Sequence, residues 1–260
     1  DDDRLLLCRD VTQAEALARM RRDFIANVSH ELKTPLTVVA GFVETMQDLD
    51  LDARQRARYL GLMQEQTRNM QRLVDDLLAL SALESEHNPP HDDAFAIVPL
   101  VLQLSSDAKA LSKGEHEVTL DIGEAATVSG DRQELASAFG NLVSNAIRYT
   151  LPGGTIRLEW RIEADGTGVF AVTDTGIGIA PEHIPRLTER FYRVDRGRSR
   201  NTGGTGLGLA IVKHVLIRHQ AELEIRSTPG AGSTFEARLP ARRVHRAPPI
   251  AVDTSRRRRH

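Results

Sequence analysis

Several features that mark particular classes of protein are scarce in this chain of 260 residues. Its single cysteine, Cys8, cannot form an internal disulfide, which excludes a disulfide-stabilised scaffold and favours a reducing compartment. No run of residues reaches the ~18 apolar positions of a membrane span, and no secretory leader pattern is present. The hydrophobic share of 40% and the charged share of 27% are typical of a globular protein and exclude disordered and collagen-like classes.

The net charge is also small, −2, but it is unevenly distributed. Residues 241–260 contain seven arginines and one aspartate, a formal charge of +6. This composition favours a disordered basic tail, with a patch for nucleic acid or anionic membrane as the alternative. The tail contains no aromatic residue, so stacking on bases is not expected.

The first third of the chain has the pattern of two long helices. Apolar residues recur every three or four positions over about 12–47, interrupted only by Pro35. A second helix with a heptad-like seam is predicted over about 53–85, and Asp52 with Gln55 resembles a capping box at its start. The short break between them predicts an antiparallel hairpin. Because two helices alone bury too little surface, we predict a homodimer that forms a four-helix bundle.

A proline-containing segment, residues 87–93, separates the helices from a region of different character. Residues 155–163 alternate apolar and charged side chains, as a half-buried strand does. Helices are predicted over residues 131–149 and 207–219, and a hairpin of strands over residues 221–239. These patterns predict an α+β domain in which helices cover one face of a mixed, mostly antiparallel sheet.

His30, Glu31 and Thr34 form the first candidate site. On a helix His30 lies roughly 200° from both Val28 and Leu32, so it faces away from the apolar seam and is not a core histidine. An imidazole beside a carboxylate is equipped as a nucleophile, because the carboxylate can hold one ring nitrogen and leave the other free. A metal site is disfavoured, since no second histidine or cysteine has ligand spacing. An incidental surface histidine is the alternative.

Polar residues form a stripe on the helix predicted over residues 131–149, which begins with a capping-box pattern, Asp131 and Glu134. Amide oxygens suit a hard cation, and a guanidinium suits phosphate oxygens. The stripe therefore predicts a site for Mg²⁺ and a polyphosphate, with a solvated helix face as the alternative. Its members are Asn141, Asn145, Arg148 and Tyr149.

Two glycine-rich segments complete the pattern. In one, Asp174 can accept a hydrogen bond from an exocyclic amine such as that of adenine, and Gly176 and Gly178 permit close approach. The other, residues 203–208, opens a helix, where free backbone amides bind phosphate. Its spacing fits neither a Walker A loop nor a Rossmann fingerprint. The intervening stretch, residues 190–201, has no regular pattern and predicts a lid.

In this order the segments resemble the five motifs of the sensor histidine kinases. The H, N, first glycine, F and second glycine boxes are matched by SHELKTP, NLVSNAIRYT, DTGIGI, RFYRVD and GGTGLGLAI. The closer resemblance is to the phosphate-regulon sensor kinases, on RRDFIANVSHELKTPLTVVAGFVETM. The resemblance implies a multidomain α and α+β fold. A dimerisation and phosphotransfer hairpin forms a dimeric four-helix bundle, and an α/β-sandwich ATP-binding domain of the GHKL (Bergerat) type follows it.

The resemblance also implies roles. His30 would accept the γ-phosphoryl group of ATP, Glu31 would orient and deprotonate it, and Thr34 would position water in a reverse, phosphatase reaction. Asn145 and Asn141 would hold Mg²⁺. The residues implied to bind ATP are Asn141, Asn145, Arg148, Tyr149, Asp174, Gly176, Gly178, Phe191, Arg193, Gly204, Thr205, Gly206, Leu207 and Gly208. The sequence departs from the family at Arg148, often lysine, and at residues 220–221, usually two glycines; we expect little effect from either.

The implied organisation extends beyond this chain. Its parts are the end of a PAS-like sensor domain (1–11), a connecting helix (12–19), the dimerisation and phosphotransfer domain (20–87), a linker (88–93), the ATP-binding domain (94–240) and the basic tail (241–260). The implied partners are a second copy and the receiver domain of a response regulator, without direct nucleic-acid binding. The chain would be the cytoplasmic portion of a bacterial inner-membrane protein, anchored through residues outside it. A GHKL-type ATPase, a pseudokinase scaffold and a mainly phosphatase protein are the alternatives.

Overall fold

The computed structural model describes residues 12–85, 91–194 and 204–246. The chain divides into two compact units between Leu77 and Leu78. Within the described ranges no helix combines the length and apolar character that a membrane crossing needs. The predicted PAS-like segment, residues 1–11, lies outside the described residues.

The first unit contains a helical hairpin, as predicted. Helix α1 spans Thr12–Asp48 without a break at Pro35, and helix α2 spans Ala53–Ser85. The predicted capping box is confirmed, because Asp52 Oδ1 accepts the Gln55 N–H at 2.7 Å and Gln55 Oε1 accepts the Asp52 N–H at 3.0 Å. The rings of Phe42 and Tyr59 lie 5.4 Å apart and join the two helices.

The second unit contains the predicted α+β domain. Its elements are β1 (Ala94–Ala96), α3 (Ile97–Ser112), β2 (Glu117–Ile122), β3 (Ala126–Ser129), α4 (Arg132–Tyr149), β4 (Thr155–Ile162), β5 (Gly168–Asp174), α5 (Gly208–Arg218), β6 (Glu222–Thr228), β7 (Gly232–Leu239) and β8 (Val244–Arg246). A five-stranded sheet has the order β2-β4-β5-β7-β6, in which only the β2–β4 pair is parallel. A smaller antiparallel sheet has the order β1-β3-β8.

Helices cover one face of the large sheet. Along β4 the predicted alternation is confirmed, with Ile156, Leu158 and Trp160 fully buried. The ring of Phe139 on α4 stacks on that of Phe170 on β5, with centroids 4.4 Å apart. This apolar layer fixes α4 on the sheet and thereby positions the polar stripe.

The opposite face of the large sheet carries a network of charges, which we call the charge ladder. At its centre Glu236, whose side chain is only 4% exposed, pairs with Arg161 at 2.9 Å, Arg226 at 2.6 Å and Arg238 at 3.2 Å. A buried carboxylate is tolerated where several cationic partners compensate its lost hydration. The ladder thus links β4, β6 and β7 through side chains, across the intervening strand β5.

Residues 241–246, which the sequence assigns to the predicted tail, pack on the second unit. Strand β8 pairs with β3, where Val244 lies opposite Val128. Arg243 is 7% exposed and donates to the backbone oxygen of Ser129 at 3.0 Å. The rest of the predicted tail, residues 247–260, lies outside the described residues.

Candidate functional site

His30 lies on α1 with its side chain 67% exposed, as predicted for a residue opposite the apolar seam. Its Nδ1 is 4.0 Å from Glu31 Oε1. This distance is too long for a hydrogen bond, so a side-chain rotation is needed to form one between these two atoms. Thr34 lies one turn further on, where its hydroxyl donates to the backbone oxygen of His30 at 3.1 Å.

The polar stripe of α4 faces the glycine turn that precedes α5. Asn141 donates through Nδ2 to the backbone oxygen of Ser137 at 3.0 Å. Its Oδ1 lies 2.6 Å from the position that a Cβ would take at Gly208. Arg148 Nη1 lies 3.0 Å from the corresponding position at Gly204. Side chains at these glycines would therefore displace the amide and the guanidinium.

Asp174 ends β5 and is only 5% exposed. Burial raises the pKa of its carboxyl group, while the backbone N–H groups of Gly176 and Ser233 oppose that rise. The Gly176 N–H donates to Asp174 Oδ1 at 2.8 Å. A buried carboxylate held in a fixed orientation is suited to accept a hydrogen bond from a ligand.

The loop after Asp174 needs its glycines for close approach. A Cβ at Gly176 would lie 2.4 Å from the backbone oxygen of Tyr149, and one at Gly178 would lie 2.0 Å from that of Thr228. Gly178 also has a φ of 66°, which few other residues adopt. The predicted loop therefore packs between the end of α4 and the β6–β7 turn.

The second glycine turn pairs with the F-box segment. The Phe191 N–H donates to the backbone oxygen of Gly206 at 2.8 Å, and a Cβ at Gly206 would lie 2.9 Å from Phe191 Cα. Arg193 Cγ lies 3.5 Å from the same Cβ position. The rest of the predicted lid, residues 195–201, lies outside the described residues.

Leu207 differs from the other candidate nucleotide contacts in its surroundings. Its side chain is fully buried in the hydrophobic core, and its N–H donates to Thr205 Oγ1 at 3.2 Å. Any contribution of Leu207 to nucleotide binding therefore comes from its backbone and stays a prediction. Thr205 holds the turn that leads into α5.

Two groups that support the site were not predicted. Ser227 Oγ accepts the Ile179 N–H at 2.8 Å and donates to the backbone oxygen of Gly232 at 3.0 Å, which anchors the loop after Asp174. Beside the F box, the Tyr192 hydroxyl lies 2.7 Å from His183 Nδ1. These partners are distant in sequence or lie in irregular segments, so no local periodicity marks them.

The donor set fits Mg²⁺ with a polyphosphate. Asn141 uses its Nδ2 within α4, so its oxygen is turned toward the glycine turn. An amide oxygen is a ligand that hard cations prefer. Asn145, half-buried one turn further along the same stripe, supplies a second amide.

Two family profiles match the chain. Residues 20–86 match the His Kinase A (phospho-acceptor) domain, and residues 130–243 match the histidine kinase-, DNA gyrase B- and HSP90-like ATPase domain. The chain belongs to the sensor histidine kinase family. The predicted fold class is confirmed with it, and the second unit is the ATP-binding domain of this kinase.

The kinase is 54% identical over 233 residues to the phosphate regulon sensor protein PhoR of Pseudomonas aeruginosa, covering 89% of this chain and 52% of that protein. The chain spans about half the length of the curated relatives it matches. Among solved structures, full-length ShkA in complex with AMPPNP is similar with a TM-score of 0.63 and 26% identity, covering 86% of this chain and 46% of that one. ThkA in complex with the response regulator TrrA has a TM-score of 0.69 at 19% identity, covering 93% and 68%, which shows a shared fold.

Proposed function

We propose that this kinase core phosphorylates His30 with the γ-phosphoryl group of ATP and passes the group to an aspartate of a response regulator. One observation carries the proposal. The phospho-acceptor hairpin presents a largely exposed imidazole beside a carboxylate, and the same chain contains an ATP-binding domain with a buried aspartate at its glycine loop. Neither unit alone has both parts of the reaction.

The proposed transfer uses the two ring nitrogens differently. Glu31 lies beside Nδ1, so Nε2 is the nitrogen left for attack. Nε2 forms a bond to the γ-phosphorus while the bond from that phosphorus to the bridging oxygen of ADP breaks. Glu31 attracts the Nδ1 proton, which stabilises the positive charge on the ring as the N–P bond forms. Positioning and charge neutralisation dominate the rate of such transfers.

The ATP-binding domain provides the charge neutralisation that the transfer needs. Asp174 accepts a hydrogen bond from the adenine amine, and Arg148 with the turn at Gly204–Gly208 holds phosphate oxygens. Asn145 and Asn141 would hold Mg²⁺, which would neutralise phosphate charge. Phe191 and Arg193, which contact the glycine turn at Gly206, would belong to the lid over the triphosphate.

The proposed partners follow from the surface and the relatives. The apolar seam of the hairpin is left in solvent, with Leu36 59% and Leu60 51% exposed, so a second copy would cover it in a homodimer. A related kinase is solved with a response regulator, which supports a receiver domain as the phosphoryl acceptor. The identity to PhoR supports phosphate-starvation signalling by the cytoplasmic portion of a membrane-anchored sensor.

The first test is labelling with γ-labelled ATP and Mg²⁺. We expect an acid-labile label in the protein and in His91→Gln, a control at another exposed histidine, and none in His30→Gln. Label that persists in His30→Gln, or nucleotide hydrolysis without any phosphohistidine, would contradict the proposal and favour an ATPase. Failure to bind ATP at all would favour a pseudokinase.

A further inference from the structure

The first turn of α4 is tied to the last turn of α5. Asp131 caps α4 as predicted, with Oδ1 accepting the N–H groups of Gln133 at 2.8 Å and Glu134 at 3.0 Å. The reciprocal half of the capping box is replaced, because the Asp131 N–H donates to His219 Nε2 at 3.0 Å. Glu134 instead accepts two bonds from Arg218, at 3.0 Å and 3.2 Å.

His219 is held in one protonation state by its two bonds. Its side chain is fully buried, and its Nδ1 lies 2.8 Å from the backbone oxygen of Val215. A carbonyl only accepts, so Nδ1 carries the proton and Nε2 accepts from Asp131. Burial lowers the pKa of His219; the nearby carboxylates of Glu134 and Asp131 oppose this, and Arg243 adds to it. The ring is therefore neutral, and both of its nitrogen atoms are already used in hydrogen bonds.

The chain before α4 is shaped around this ring. Gly130 has a φ of 157°, and a Cβ there would lie 2.6 Å from His219 Cδ2 and 2.9 Å from Nε2. Only a glycine lets the backbone lie against the imidazole at this distance. The Arg218 and Glu134 side chains beside it are only 11% and 16% exposed.

The opposite ends of the same two helices meet at the nucleotide cleft. Helices α4 and α5 run antiparallel, because Gly208 at the start of α5 lies against Asn141, whereas Arg218 at its end lies against Glu134. An α-helix rises 1.5 Å per residue, so the bonds at Arg218 lie about 15 Å from the glycine turn along α5. Fixing the far end sets how far α4 can slide along α5.

We propose that His219 and the Arg218–Glu134 pair form a register clamp that sets the spacing between Asn141 and Arg148 on α4 and the glycine turn before α5. These are positioning residues, since none of them touches the cleft. The proposal rests on the nucleotide contacts assigned above to Asn141 and Arg148. Loosening the clamp weakens nucleotide binding at a distance while all cleft residues stay in place.

Calorimetric titration with Mg²⁺–ATP, run below each variant's melting temperature, tests the clamp. His219→Leu keeps similar volume but leaves the buried Asp131 N–H without an acceptor, and we expect about tenfold weaker binding. His219→Gln restores an acceptor, so most of the affinity should return. The matched control is His245→Leu, which removes a histidine bonded at 3.1 Å to Ser129 in the small sheet and should leave affinity unchanged.

A double-mutant cycle with Arg148→Lys adds a readout that a purely structural role would not move. If His219 acts through the position of Arg148, the loss caused by His219→Leu shrinks in the Arg148→Lys background. A lowered melting temperature with unchanged affinity, or fully additive losses, would overturn the clamp. If His219→Leu does not fold, Glu134→Gln loosens the Arg218 pair and is expected to weaken binding about threefold; unchanged affinity there would equally overturn it.

The two proposals fail separately. The clamp is read from nucleotide binding, whereas the proposed function is read from label on His30. A protein that binds ATP tightly but never labels His30 refutes the kinase reaction and leaves the clamp standing. Labelling of His30 with equal ATP affinity in all clamp variants refutes only the clamp.

Discussion

The two units of the chain treat their apolar side chains in opposite ways. Leu73 is the one buried hydrophobic residue that the described part of the first unit contains, while Ile25 and Leu36 are 56% and 59% exposed. In the second unit Trp160 and Phe139 are fully buried. Burial of apolar surface is the main favourable term in folding. The second unit therefore buries a core of its own, whereas the hairpin leaves its seam exposed, which is why we propose that a second copy covers it.

The largest expected effect is on ATP binding by the second unit, in a variant that leaves the first unit unchanged. Asp174→Asn should weaken ATP binding about 100-fold, because the charged acceptor for the adenine amine is lost. The pKa of Asp174 is raised by burial, so its ionised form opposes folding as pH rises through that pKa. The melting temperature of the nucleotide-free variant at pH 7 should therefore be equal or higher. A lower one would mean that the carboxylate serves the fold rather than the ligand.

A change on the hairpin should separate two activities of the first unit. Thr34→Ala removes the hydroxyl beside His30 and should slow dephosphorylation of a phosphorylated regulator at least about tenfold, since water loses a positioning group. Autophosphorylation should stay within about twofold of wild type. Thr37→Ala, which removes a hydroxyl bonded to the backbone of Lys33 at 2.9 Å, is the matched control. Equal loss of both activities in Thr34→Ala would contradict this role.

A charge introduced on the apolar seam of the hairpin should weaken the proposed homodimer. Val43 is 37% exposed, and Val43→Glu should raise the dimer dissociation constant about tenfold or more, because a charge would be buried in the bundle. Sedimentation measures this directly. Leu49→Glu, at a 56% exposed position beyond α1, should change little. An unchanged dimer in Val43→Glu would place the interface elsewhere.

The pH dependence of unfolding of the second unit should contain a contribution from His219. The folded-state pKa of His219 is lowered by burial, so its stability contribution is full above the unfolded value of about 6.5 and is lost as pH falls toward the folded value. His214 has the same sign. Between pH 8 and pH 5 the second unit should lose less stability in His219→Gln than in wild type, with His214 unchanged in both. Parallel curves would contradict this assignment.

The smallest expected effect concerns the residues that replace two glycines. Gln220 has a φ of 54°, and it ends α5 in a Schellman motif with Ala221 bonded to Leu216 at 2.8 Å. Gln220→Gly relieves the strain of the left-handed backbone and should stabilise the second unit by about 0.5 kcal/mol. The loss of the exposed hydrogen bond from Arg242 to the Gln220 side chain reduces this gain. Gln220→Ala keeps the strain and should be destabilising. Thermal unfolding distinguishes the two variants.

Long periodic segments and short-range signals could be predicted from the sequence. Helices α1 and α2 follow an apolar repeat, and the capping box at Asp52 needs only a partner three residues away. Glycines with positive φ, such as Gly178 and Gly206, lie where the motifs placed them. The backbone of Thr228 and of Phe191 lies too close to these two glycines for a side chain to fit, which explains why their spacing is informative.

Features set by distant contacts could not be predicted. Strands β1 and β3 have only three and four residues, too few for alternation to be recognised, and they belong to a sheet in which β8 returns from far along the chain to pair with β3. His219 lies 88 residues from Asp131, so no local pattern indicates that it replaces the capping-box partner. The burial of Leu207 at the start of α5 likewise depends on tertiary packing that the glycine motif around it does not indicate.

The charge ladder affects how the protein meets an anionic ligand in solution. Each of its three arginines already has a carboxylate partner: Arg161 and Arg226 pair with Glu236, and Arg238 pairs with both Glu236 and Glu163. Charges neutralised in place produce little long-range field. An approaching triphosphate is therefore not drawn to this broad face, and few diffusive encounters are wasted on it.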